Sequence, residues 1–149
     1  MMRKVYETPE HRAAERIFAK DIARKWRLKY RRAPTMAKYD YDFLNCNGDV
    51  VVRVEMKIRN CTFDYYDTIL VSGDKLINAA DAAQEMGLLH ILAVRYKDRD
   101  VYCNVNTILV RQSRFKRGGR YDRDDPLDET IVALIPKNNF KKFENIIWC

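Results

Sequence analysis

The 149-residue sequence lacks any long apolar run, and this absence argues against a protein that crosses a membrane with helices. No run approaches the roughly 18 consecutive apolar residues that a membrane-spanning helix requires, so we expect no membrane segment. Residues 1–20 are rich in charge and contain no apolar core of a secretory signal. We therefore expect no secretion and a cytoplasmic location.

The usual ligands of structural zinc are also scarce. Four cysteines are scattered along the chain, no two of them form a Cys-x-x-Cys pair, and the only histidines are His11 and His90. This spacing argues against a structural zinc site. In a cytoplasm the cysteines are expected to be reduced thiols.

Acidic residues are few at the N-terminal end. Residues 1–38 contain 12 of the 28 Lys and Arg but 4 of the 21 Asp and Glu, which gives +8 there and −1 in the remainder. Residues 24–32 hold six basic residues, interleaved with Trp26 and Tyr30. This asymmetry favours a polyanionic partner. We expect phosphate contacts from Arg24, Lys25, Arg27, Arg31 and Arg32.

The order of predicted elements indicates an α/β fold with a mixed central β-sheet flanked by helices. Thr8 and Pro9 are typical of a helix start, and apolar residues at helical spacing extend this helix to about Tyr30. Asn47-Gly48 predicts a hairpin between the first two strands. Strands are predicted at 38–45, 50–59, 67–72, 88–96, 101–110 and 131–135, and further helices at about 75–86 and 140–146.

Two neighbouring strands carry the residues that are suited to metal binding and catalysis. Because strand side chains alternate between faces, Glu55 and Lys57 share the polar face of the run from Val50 to Ile58. By the same alternation Asp40 and Asp42 share one face of the preceding strand. Carboxylates are hard oxygen ligands of the kind Mg²⁺ prefers, and a neighbouring lysine can activate a water molecule. The pattern indicates metal-assisted hydrolysis of a phosphodiester.

At these residues the chain resembles the PD-(D/E)xK nuclease superfamily. The similarity covers about residues 8–106 and is carried by Tyr41-Asp42-Phe43-Leu44, Asn47-Gly48, Val54-Glu55-Met56-Lys57-Ile58-Arg59 and the segment from Thr68 to Lys75. It implies an αβββαβ restriction-endonuclease-like core and a nuclease that uses Mg²⁺, with Mn²⁺ as a substitute. Carried over residue by residue, Asp42 and Glu55 would be metal ligands and Lys57 the catalytic lysine. Many members add an acid from the first helix, and Glu15 fits that place.

Several readings of these residues stay open. No proline precedes Asp42, and Asp40 competes with it, although we favour Asp42 because it lies deeper in the strand. Glu55 and Lys57 could instead form a surface pair, and Glu15 could be a solvated helix residue. Lys75 begins a helix and could hold a phosphate or simply be exposed. The basic segment 111–123, with Arg114 and Arg117, could grip DNA or be a solvated loop.

The resulting expectation is one nuclease domain over residues 1–149, with a core at about 8–106 and a C-terminal extension at 107–149. We expect a small phage-like endodeoxyribonuclease, located in the host cytoplasm if a phage encodes it. A chain of this length has no room for a separate recognition domain, so we expect little sequence specificity and substrate choice by structure, branched DNA included. A homodimer could present two sites to the two strands. The alternatives are a non-catalytic nucleic-acid-binding module and a phage structural or interaction protein, and DNA versus RNA stays open.

Overall fold

A computed structural model describes residues 8–118 and 130–144. Two single turns of 3₁₀-helix, Phe63–Tyr65 and Lys137–Asn139, lie among the regular elements. Those elements, in chain order, are α1 (Pro9–Trp26), β1 (Lys29–Arg32), β2 (Tyr41–Leu44), β3 (Val50–Ile58), β4 (Thr68–Ser72), α2 (Gly73–Met86), β5 (Leu89–Arg95), β6 (Asp100–Asn104), α3 (Thr107–Gln112), β7 (Arg114–Gly118), β8 (Thr130–Pro136) and β9 (Lys141–Lys142).

The larger sheet has six strands in the order β1-β2-β3-β5-β6-β9. Strands β3 and β5 are parallel, and the other neighbouring pairs are antiparallel. Ile91 and Ala93 of β5 contribute to the core under α1, whereas Leu92 and Val94 contribute to the core under α2. This alternation explains why the β5 sequence is almost continuously apolar. A mixed sheet with helices on both faces confirms the predicted fold class.

Helix α1 ends earlier than the sequence predicts. Arg27 adopts a left-handed conformation at φ 56° and ψ 44°, which ends the helix after Trp26. The next residues form β1, an edge strand in which Tyr30 packs near the rings of Tyr41 and Phe43. The predicted extension to Tyr30 is wrong because strand pairing and aromatic packing outweigh the weak local preference for helix.

The C-terminal part of the chain is integrated into the fold. Strands β4, β8 and β7 form a separate three-stranded antiparallel sheet. The third strand of the expected core therefore pairs with β8 of the extension and lies outside the larger sheet. Ile69, Ala133 and Ile135 of this smaller sheet join the core under α2.

Two further element predictions need correction. The predicted strand 101–110 ends at Asn104, and the Asn106 side chain accepts a hydrogen bond from Leu109 N at 2.9 Å to cap α3. The predicted helix 140–146 begins instead with the short strand β9, which pairs with β6. Residues 145–149 and 119–129 lie outside the described part of the chain.

Candidate active site

The β2–β3 hairpin positions the candidate acids. Asn45 Oδ1 accepts hydrogen bonds from Asn47 N and Asp49 N, both at 3.0 Å, and Gly48 turns the chain with a φ of 84°. That left-handed conformation is favourable for glycine. The register then pairs Tyr41 with Val54 and Asp42 with Arg53. The predicted Asn47-Gly48 hairpin is confirmed, and the register decides which side chains meet.

Asp40 is the acid that the fold brings to Glu55. The backbone N–H of Asp40 donates to Val54 O at 2.9 Å, and the N–H of Met56 donates to Asp40 Oδ2 at 2.7 Å. Burial and, next to it, the negative charge of Glu55 raise the pKa of Asp40 to about 6. Because burial and a nearby negative charge disfavour the ionised form of Asp40, a bound cation beside it would favour that form.

Two lysines contact the same carboxylate oxygen of this pair. Lys57 Nζ lies 3.5 Å from Glu55 Oε1, and Lys75 Nζ lies 3.6 Å from it. The Lys57 side chain is 25% exposed, whereas that of Lys75 is 54% exposed. Lys75 is in the first turn of α2, where Ser72 Oγ accepts a hydrogen bond from its backbone N–H at 3.3 Å. The N-terminus of α2 therefore lies beside the acids, where it favours anions.

Asp42 lies on the same face but has different partners. It is 4% exposed, and its Oδ2 accepts a hydrogen bond from Arg31 Nε at 3.2 Å. Its Oδ1 lies 3.8 Å from Arg53 Nε. Asp42 is thus buried, as expected, but it faces two arginines, whereas Asp40 faces Glu55. Of the two acids between which the sequence left the choice open, Asp40 is therefore the one that lies beside Glu55.

Glu15 lies on the other side of the larger sheet. It is 3% exposed on the core-facing side of α1, and its Oε2 lies 3.7 Å from His11 Nε2. Burial raises the pKa of Tyr41, and the negative charge of Glu15 adds to this effect. Tyr41 belongs to the core between α1 and the sheet. Adjacent strand residues point to opposite faces, so Tyr41 faces α1 while Asp40 faces α2. The structure does not bring Glu15 together with Asp40 and Glu55.

The basic residues predicted to bind phosphate do not share one face. Arg24 and Lys25 line a cavity of about 480 Å³ beside α1. The guanidinium carbon of Arg32 lies 6.0 Å from the centre of the Tyr41 ring, on the α1 side of the sheet. Arg31 is on the opposite face, bound to Asp42. The early end of α1 and the alternation along β1 cause this separation.

Three other predicted phosphate contacts lie at separate places. Arg27 is exposed at the end of α1. Arg114 and Arg117 are exposed on β7, at the edge of the smaller sheet. These positions leave Arg31 and Lys75 as the predicted contacts whose side chains meet acids on the active-site face.

Arg53 and Tyr39 are neighbours of the site that the sequence patterns did not indicate. The Arg53 guanidinium carbon lies 4.7 Å from the centre of the Tyr39 ring, a cation–π contact. Burial and a hydrogen bond to Asp42 raise the pKa of Tyr39. His90 also lies close, and burial followed by the charge of Arg53 lowers its pKa. The position of Arg53 on the polar face of β3 was the available signal.

Asp40 and Glu55 are suitable ligands for a divalent metal. Within residues 8–118 and 130–144, no group of three or more His, Cys, Asp or Glu residues has the arrangement of a metal site. Mg²⁺ needs less, because it commonly uses one or two carboxylates and keeps several water molecules. The paired acids, with their hard oxygen donors, fit that requirement.

Comparisons with known proteins extend these observations. The model of the family described as "Phage putative PDDEXK endonuclease" matches residues 1–143. No curated protein matches the chain. Among solved structures, the Hjc protein of Archaeoglobus fulgidus, a Holliday junction resolvase from an archaeal hyperthermophile, matches with a TM-score of 0.54 and 13% identity, covering 87% of this chain and 85% of that one. At this identity the likeness shows the fold alone. None of the described helices has the length and apolar character of a membrane span.

Proposed function

Because the chain belongs to the phage PDDEXK endonuclease family, we propose that it is a metal-dependent endodeoxyribonuclease with little sequence specificity. Membership makes it a nuclease of the PD-(D/E)xK type. The observation that carries the finer proposal is the meeting of Asp40 with Glu55, with Lys57 and Lys75 both within 3.6 Å of Glu55. This arrangement combines anionic metal ligands with cations that can neutralise a phosphate.

Asp40 and Glu55 are the proposed metal ligands. Asp40 replaces Asp42 in this role because the carboxylate of Asp42 is held by Arg31 and Arg53. Mg²⁺, or Mn²⁺ in its place, would supply charge neutralisation at the phosphate and a more acidic water molecule. Because Asp40 Oδ2 accepts the Met56 N–H, its carboxylate group has a defined orientation toward Glu55.

Lys57 is the proposed catalytic lysine. It is on a central strand, less exposed than Lys75, and its ammonium group can orient the attacking water and stabilise the charge that develops on the phosphate. Lys75 is more exposed and lies at a helix N-terminus, so its proposed role is to bind a substrate phosphate. Glu15 lies on the α1 side of the sheet, away from the proposed metal ligands, so it has no catalytic role in this proposal.

The proposed path of DNA crosses the α2 side of the larger sheet. Arg31 and Lys75 lie on this side with the acids. Arg114 and Arg117 on β7 offer a second basic surface. Duplex DNA has two strands to cut, and a homodimer would present two sites to them. Recognition of DNA shape, including branch points, would need no separate reading domain.

The test is incubation with plasmid, linear duplex, single-stranded and four-way-branched DNA, and with RNA, in Mg²⁺, Mn²⁺ or EDTA. We expect cleavage of DNA in either metal and none in EDTA, and the Lys57→Ala protein serves as a control for contaminating nucleases. Failure to cut any substrate would favour the non-catalytic binding module. Cleavage of RNA alone would refute the proposed substrate, and light scattering on the same protein tests the homodimer.

A further inference from the structure

We infer that Arg31 and Arg53 form a second phosphate-binding site next to the metal ligands, and that Asp42 is a positioning residue that holds both arginines. The ligand would be a backbone phosphate adjacent to the one that is cleaved. This inference rests on the proposed function, because both phosphates belong to the same substrate.

The two arginines converge on one buried carboxylate. Arg31 Nε donates to Asp42 Oδ2 at 3.2 Å, and Arg53 Nε lies 3.8 Å from Oδ1. The Asp42 side chain is 5% exposed, so the carboxylate is almost wholly screened from solvent. A buried carboxylate between two guanidinium groups fixes their positions, since a charge at such a site is costly unless paired.

Each arginine keeps donors for another anion. An arginine has five N–H donors, and the contacts with Asp42 involve Nε of each. The Arg31 side chain is 60% exposed, so its terminal nitrogens are accessible. Arg53 stacks on the Tyr39 ring at 4.7 Å, and its Nη1 contacts Met86 Sδ at 3.4 Å, a weak acceptor. Stacking orients the guanidinium plane, which prepares it for the fork-like contact that arginine makes with phosphate.

The charge balance also favours an anion here. One carboxylate, Asp42, faces two guanidinium groups, so this group has a net charge of about +1 at neutral pH. The neighbouring group of Asp40, Glu55, Lys57 and Lys75 is balanced before any metal binds. An incoming phosphate would therefore find positive charge beside the acids.

The spacing fits successive phosphates of one strand. Arg53 is two residues before Glu55 on β3, and Asp42 is two residues after Asp40 along the chain. Two residues of a β-strand span roughly 7 Å. This distance is comparable to the separation of neighbouring phosphates along a nucleic-acid strand, so both sites could be filled by one continuous backbone.

The first test measures DNA binding in EDTA, where no cleavage occurs. The affinity of a fluorescein-labelled duplex is determined by anisotropy at several salt concentrations for wild type, Arg31→Gln and Arg53→Gln. Each lost phosphate contact should flatten the slope of log K against log salt by about 0.9. Lys142→Gln is the matched control, since Lys142 is exposed on β9, at the far edge of the sheet from β1. Slopes of both arginine variants equal to that of Lys142→Gln would overturn the inference.

The second test separates Asp42 from the metal ligands without any DNA. Mn²⁺ binding is measured by electron paramagnetic resonance for Asp40→Asn and Asp42→Asn. We expect Asp40→Asn to lose at least tenfold in Mn²⁺ affinity and Asp42→Asn to stay within threefold of wild type. Equal losses would make Asp42 a ligand and overturn its positioning role. Neither test depends on cleavage, so both tests decide this inference even if the protein cuts no substrate and the proposed function fails.

The third test asks whether Asp42 acts through the arginines. Asp42→Asn is introduced into wild type and into the Arg31→Gln/Arg53→Gln protein, and DNA affinity is compared. We expect the change in DNA affinity that Asp42→Asn causes in wild type to disappear in the double-variant background, because the effects of substitutions at interacting residues are not additive. Equal effects in both backgrounds would mean that Asp42 contributes only charge, against the inference. If Asp42→Asn does not fold, the salt slopes of the arginine variants still decide the phosphate site.

Discussion

Replacing Lys57 with methionine removes the ammonium group beside Glu55 and keeps an unbranched side chain of similar length on β3. Lys57 Nζ lies 3.5 Å from Glu55 Oε1, and Lys75 Nζ approaches the same oxygen at 3.6 Å. The two lysines are therefore at similar distances from Glu55 but differ in exposure and in the element that carries them. Lys57 extends from a paired central strand and is 25% exposed, whereas Lys75 is 54% exposed on the first turn of α2.

The expected loss comes from this difference. A positioned group that transfers or orients a proton in the transition state contributes typically 10²- to 10⁴-fold in rate. Lys57→Met should therefore reduce kcat by about 10²- to 10⁴-fold, which is roughly 3–5 kcal/mol of activation free energy. Lys75→Met is the matched control and should mainly raise KM, because we assign it a phosphate contact. Both replacements remove a single partly exposed charge, so neither should greatly alter the free energy of unfolding.

The assay is single-turnover cleavage of a labelled duplex at saturating protein in Mg²⁺, with steady-state kinetics to separate kcat from KM. Urea denaturation of each variant shows that the fold is intact, and Mn²⁺ binding shows that the ligands remain. A Lys57→Met protein that cuts within threefold of the wild-type rate would refute the assignment. A kcat loss for Lys75→Met equal to that of Lys57→Met would refute the division of roles.

Three further predictions concern the scaffold. Trp26 is fully buried against two aromatic rings, so Trp26→Ala should lower the free energy of unfolding by about 3–5 kcal/mol, measured by urea denaturation; a loss under 1 kcal/mol would contradict the core assignment. Burial raises the pKa of the Cys103 thiol to about 12, so a thiol reagent at pH 8 should modify exposed Cys46 quickly and Cys103 only after unfolding, as mass spectrometry of peptides would show. Arg27 has a positive φ of 56°, so Arg27→Gly should relieve strain and stabilise the protein by about 0.5–1 kcal/mol, and a lower melting temperature would count against this.

Local patterns in the sequence were sufficient to predict the elements whose conformation depends little on distant parts of the chain. Thr8 and Pro9 placed the start of α1, and the observed helix begins at Pro9 with the Thr8 side chain as its cap. Alternation predicted β3, with Glu55 and Lys57 on one polar face, and Asn47-Gly48 predicted the turn before it. The match of the family model over residues 1–143 agrees with the resemblance drawn from these residues. Such signals depend on contacts within a few residues, so the sequence alone contains them.

Other features depended on contacts between distant parts of the chain. The predicted helix extends to about Tyr30, but Lys29 and Tyr30 belong to β1, because β2 offers a strand to pair with and Tyr41 and Phe43 offer rings to pack against. The sequence of β4 was interpreted as a strand of the central sheet. In the structure β4 pairs instead with β8, more than fifty residues later in the chain. Local propensity carries no information about such partners.

The choice between the two acids shows this limit most clearly. Asp40 and Asp42 are two residues apart, so alternation places both on the same face and cannot separate them. Only the register of β2 against β3, with Tyr41 beside Val54, puts Asp40 with Glu55 and leaves Asp42 with Arg53. The sequence by itself determined the face of the sheet and the kinds of residue on it. The tertiary structure decided which acid meets Glu55, because register is a property of two paired strands and of neither strand alone.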